Sequence, residues 1–119
     1  MMKYTVNNLI ELNAATKAIH AFLLQGGVPL ELAFDSRLIV SELAGNVLKH
    51  ARSVARVEVR IENGRIELTV HAENGALPPE RSACSSVTAE GGRGLFLVDK
   101  LSARRFLTED GGVRVWIEL

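Results

Sequence analysis

The chain has 119 residues, of which 47% are hydrophobic and 24% charged, enough for one compact domain with an ordinary core (residues 1–119) and too few for a second catalytic module. Fourteen Lys and Arg against fourteen Asp and Glu cancel to zero formal charge with neither sign in a block, which argues against direct nucleic-acid or membrane binding and permits self-association. One cysteine, Cys84, excludes an internal disulfide and a Cys-based zinc cluster; without a signal-type start or an apolar run of about 18 residues, the expected location is cytoplasmic.

Residues 3–6 read as a short strand, and the Asn7-Asn8 pair after it offers a helix N-cap. Leu12, Ala15, Ile19 and Phe22 recur at spacings of three and four, one face of a helix that begins at Leu9 and ends at Gly26-Gly27. Pro29 suits the first turn of a second helix, which runs over residues 30–51 because only one Gly interrupts it. Residues 54–62 and 66–70 alternate apolar and polar around Asn63-Gly64, the signature of a hairpin with a type I′ turn. Residues 74–92 form a long aperiodic loop rich in Gly, Pro, Ser and Ala, and residues 94–101 read as a short helix. Residues 104–108 and 113–119, joined through Glu109-Asp110-Gly111-Gly112, read as a closing hairpin. This order describes an α+β fold, a two-layer sandwich of a largely antiparallel mixed sheet with helices on one face.

On the second helix Ile39, Val40, Leu43 and Val47 form a core stripe, beside a polar stripe of Glu31, Asp35, Glu42, Asn46 and Lys49. Glu42 and Asn46, four residues apart, point the same way. A carboxylate beside a carboxamide oxygen suits a hard cation such as Mg²⁺ together with a general base; a solvated helix face is the alternative. In Glu90-Gly91-Gly92-Arg93-Gly94-Leu95, three glycines before a helix allow close approach of an anion to free backbone N–H groups, and Arg93 adds a charge-assisted contact. A flexible lead into the helix explains the same glycines.

Taken together, Ser41 to Ala51, a hairpin, a Pro-containing loop and Gly92-Arg93-Gly94-Leu95 resemble the GHKL (Bergerat-fold) ATPase superfamily. Within it the short chain looks most like the serine kinases that act as bacterial anti-sigma factors. The resemblance extends to Gly111-Gly112-Val113-Arg114-Val115-Trp116 and implies ATP and Mg²⁺ as ligands. It implies Glu42 as the base that activates a partner's hydroxyl and Asn46 as the Mg²⁺ ligand. Lys49 and His50 would lie near the nucleotide mouth, Gly92, Arg93, Gly94 and Leu95 around the phosphates, and residues 82–91 in a lid. Cys84 in that lid reads as an exposed thiol.

Two departures concern the base. Where the family carries an Asp that reads the adenine amino group, this chain has Ala72; where it commonly has a Thr after the final Gly-Gly, this chain has Val113. Shifting the alignment by one residue would bring Glu73 to the first place, but such a shift turns a strand side chain to the opposite face. The resemblance implies an anti-sigma regulatory factor that binds MgATP, partners a sigma factor or a small anti-sigma antagonist protein, and forms a homodimer or heterocomplex through its first helix and nearby sheet. The alternative is a non-catalytic protein-binding module with a decayed nucleotide site.

Overall fold

A computed structural model describes residues 1–75, 104–108 and 111–119. The described chain runs β1 (Met2–Val6), α1 (Leu9–Gln25), α2 (Leu30–Asn46), a π-helical turn (Val47–Ala51), β2 (Ala55–Glu62), β3 (Arg65–Ala72), β4 (Arg104–Leu107) and β5 (Val113–Glu118). The strands form one sheet in the order β1-β2-β3-β5-β4. All four pairings are antiparallel, so the parallel component implied by a mixed sheet is not present among the described strands.

Local chemistry fixes the boundaries. The Asn8 side chain accepts the Glu11 backbone N–H at 2.9 Å, and the Glu11 carboxylate reaches back to accept the Asn7 backbone N–H at 2.7 Å, so the two side chains satisfy one donor inside α1 and one just before it. At the other end Gly27 takes φ +86°; its N–H bonds to Leu24 O while the Val28 N–H bonds back to Leu23 O. That left-handed closure requires a glycine, and it brings buried Val28 onto buried Leu23. The second helix begins at Leu30 as expected, with Pro29 just ahead of it as the N-cap of α2 at φ −56° and ψ 145°. Between β2 and β3, Asn63 (φ 54°) and Gly64 (φ 73°) make the two positive-φ residues of the type I′ turn.

Period-two alternation turns Val57 and Val59 of β2, Ile66, Leu68 and Val70 of β3, and Val115 and Ile117 of β5 toward the helices, where they are buried. Ile19 and Leu23 of α1, with Ile39, Val40 and Leu43 of α2, close the core from the other side. Phe22, placed on the helix face by its spacing, is only partly buried; the adjacent Leu23 takes the core position. The result is two layers, with the opposite face of the sheet carrying the alternate, polar residues.

Candidate functional site

The expected single helix over residues 30–51 is two segments: α2 ends at Asn46 and the chain continues as a π-helical turn to Ala51, closed by Arg52 in the left-handed region at φ 50°. The wider turn changes the angular step after Asn46, so the spacing that aligns Glu42 with Asn46 does not carry on to Lys49. Glu42 and Asn46 remain one α-helical turn apart, both partly buried, and neither side chain takes a hydrogen-bond or ion-pair partner among the described residues. Lys49 and His50 are exposed. Lys49 lines an open cleft of about 730 Å³ with Leu48, Arg52 and the start of α1 at Asn8 to Ile10, a cleft that neither Glu42 nor Asn46 lines.

Ala72 is the last residue of β3, 6% exposed and directly opposite Ala55 of β2 in the register. Val113 begins β5 opposite Val70 and is equally turned toward the helix layer, 4% exposed. Both positions thus present apolar surface on the side of the sheet that carries α2. Glu73 does not share that side. It is exposed, and its carboxylate lies 3.4 Å from the Nε of Arg56, which alternates with the inward Ala55 and Val57 on β2. The one-residue slip considered for Glu73 therefore delivers a carboxylate to the open face of the sheet, as the strand period requires.

Thr108, which the sequence reading did not mark, and Gly112 of the final Gly-Gly fix the path into Val113. The Gly112 N–H donates to the Thr108 hydroxyl at 2.8 Å and the Thr108 N–H to Gly112 O at 2.9 Å. A Cβ at Gly112 would meet His71 Cβ at 2.9 Å, Thr108 Oγ1 at 3.0 Å and Val70 O at 3.1 Å, so this glycine is held by close approach of its neighbours. Gly92, Arg93, Gly94 and Leu95, the lid at residues 82–91 with Cys84, and the short helix expected at residues 94–101 lie outside the described residues.

The donor set can be weighed against Mg²⁺ and a nucleotide. The carboxamide oxygen of Asn46 is a hard, neutral ligand without a competing partner among the described residues, which fits a cation that keeps several waters and leans on phosphate oxygens. Among the described residues no cluster of three or more His, Cys, Asp or Glu exists to hold a metal without such a substrate. Ala72 and Val113, where the resemblance expects groups that read the base, are buried and offer no side-chain hydrogen-bonding group. No helix among the described residues is long and apolar enough to cross a membrane. No curated protein matches the chain. A family model described as a histidine kinase-like ATPase domain matches residues 6–119, almost the whole chain, and the protein belongs to that family.

Proposed function

We propose that this domain is an anti-sigma regulatory factor of the serine/threonine-kinase type, binding MgATP and either a sigma factor or a small antagonist protein in the cytoplasm of a bacterium. The observation that carries the reading is the Glu42–Asn46 pair: one helical turn apart, partly buried and uncommitted among the described residues, in a chain of the ATPase-domain family. Asn46 is the residue that would hold Mg²⁺, and MgATP when bound supplies a phosphoryl group with its phosphate charge neutralised. Glu42 takes the proton of the partner's serine or threonine hydroxyl on its carboxylate. Apolar surface on α1 supports association with a partner or a second copy, since Ile10 is 83% and Leu9 64% exposed beside the N-cap.

A second reading, a protein-binding module with a decayed nucleotide site, is favoured by one specific observation. Both residues at the base-reading positions, Ala72 and Val113, are apolar and face the helix layer, while Glu73 is engaged with Arg56 on the other face. Calorimetric titration of MgATP into the purified protein separates the two. Measurable binding, with phosphoryl transfer to the partner that Glu42→Gln abolishes while leaving the melt and partner binding unchanged, supports the kinase. Equal transfer by variant and parent removes Glu42 from the base role, and a folded protein that binds no MgATP supports the decayed module.

A further inference from the structure

The open face of the sheet, opposite the helices, is laid out unevenly. Toward β1 its cations are each matched to a glutamate: Lys3 lies 3.6 Å from Glu58, Arg56 3.4 Å from Glu73, and Arg60 3.3 Å from Glu62. Arg114 of β5 is similarly held, its Nε 3.4 Å from Glu67 and donating to the Thr69 hydroxyl at 3.2 Å. Arg65 and Arg104 differ. Among the described residues neither takes a carboxylate; both lie over Trp116, with guanidinium carbons 3.5 Å and 5.6 Å from the ring centroid. Phe106 packs its ring edgewise on the same tryptophan, with centroids 4.8 Å apart at 80°. Arg65 Nε and Trp116 Nε1 are screened from water with no acceptor among the described residues, so stacking rather than hydrogen bonding holds the group together.

A guanidinium held over an indole ring is oriented and partly dehydrated, and its planar fork of terminal N–H groups can receive a carboxylate in a bidentate manner. Trp and Arg are also the side chains that most often dominate protein interfaces. A polyphosphate backbone is the poorer match. It requires a track of uncompensated cations, whereas among the described residues this face has two, with Glu67 and Glu118 on the same side and zero formal charge on the whole chain. We propose that Arg65 and Arg104, held against Trp116 on the open face of the sheet, form a docking site for an acidic segment of a partner protein. The site lies on the face away from Glu42, Asn46 and Ala72, so it stands or falls independently of nucleotide binding.

Trp116 is the chain's single tryptophan, so its emission reports occupancy of the site directly. The probes are a fluorescein-labelled peptide rich in Asp and Glu, its Asn/Gln isostere and a uridine oligonucleotide of similar length. The acidic peptide is expected to bind saturably, perturb Trp116 emission and weaken as salt is raised, with the isostere and the oligonucleotide weaker by about tenfold or more. Arg65→Gln with Arg104→Gln should weaken the acidic peptide by at least about tenfold, whereas Arg56→Gln, whose cation is already paired with Glu73, should change it by less than about twofold. Equal binding of the isostere, tighter binding of the oligonucleotide, or equal losses in both variants would overturn the proposal. Thermal melts accompany each variant; if the double variant does not fold, the peptide-against-isostere comparison on the parent protein still decides the matter.

Discussion

Placing polar groups at the positions proposed to face the base, through Ala72→Asp with Val113→Thr, sets a stability cost against an affinity gain at the same two sites. Ala72 is 6% exposed and faces Ala55, which is fully buried, so a carboxylate placed there in the ligand-free protein is desolvated against apolar neighbours. The cost has a ceiling: at neutral pH the group can take up a proton, and raising an ordinary Asp pKa to about 7 corresponds to about 4 kcal/mol. A Thr hydroxyl at Val113 without a partner adds about 1 to 3 kcal/mol. For a domain of this size the melting temperature then falls by up to roughly 30 °C. With ATP present the carboxylate accepts a hydrogen bond from the adenine amino group, worth about 1.5 to 3 kcal/mol, or roughly 10- to 150-fold in affinity. GTP presents a carbonyl oxygen at that place and gains nothing. Calorimetry with ATP and GTP, together with melts with and without each nucleotide, measures both sides of the balance. If ATP and GTP tighten equally, or if the parent already binds ATP far more tightly than GTP, then Ala72 and Val113 do not form the base-reading site.

Two further expectations concern the frame around the site. The Glu11 carboxyl is held below its ordinary 4.5 chiefly by the Asn7 backbone N–H and then by the Asn7 side chain, so its contribution to stability is complete above the unfolded value and disappears as pH falls through the lowered folded value. Denaturant melts at a series of pH values below 4.5 should show a shallower loss in Glu11→Gln than in the parent, and identical slopes would refute the assignment. Gly112→Ala should destabilise by about 1 to 3 kcal/mol, because the new Cβ meets a backbone carbonyl and two anchored side-chain atoms. Gly26→Ala should cost less, since there the obstacle is the movable tip of Ile61; a larger loss at Gly26 in urea melts would contradict this ranking.

Features that depend on a few adjacent residues were legible in the sequence. The Asn63-Gly64 turn, the Gly26-Gly27 stop and the Asn8 cap each follow from one conformational or hydrogen-bonding need met within a turn of chain. The Glu42–Asn46 pair was legible too, because four-residue spacing on a helix places side chains together regardless of what surrounds them. The π-helical turn over Val47–Ala51 was not, since five residues without Gly or Pro carry the same apolar pattern in either helix type and tertiary packing decides between them. Nor was the Arg65–Trp116–Arg104 group legible. It depends on the register that sets Arg65 against Glu118 and Arg104 against Trp116, which joins residues from three separate strands.

The strand period also separates the two proposed sites. Ala72 and Glu73 are neighbours in sequence, as are Val113 and Arg114, yet in each pair the first residue faces the helices and the second the open side. Among the described residues both helices pack on one face of the sheet, and the other face gathers its uncommitted cations, Arg65 and Arg104, at one end while the helix side keeps the Glu42–Asn46 pair. The two groups share no side-chain partner among the described residues, so substitutions on one face should add to those on the other unless the backbone of β3 or β5 shifts. A coupling energy between Glu42→Gln and Arg104→Gln well above about 0.5 kcal/mol would place such a shift in the path between nucleotide and partner. Its absence would mean that an acidic partner can be held on the open face whether or not the helix side binds nucleotide.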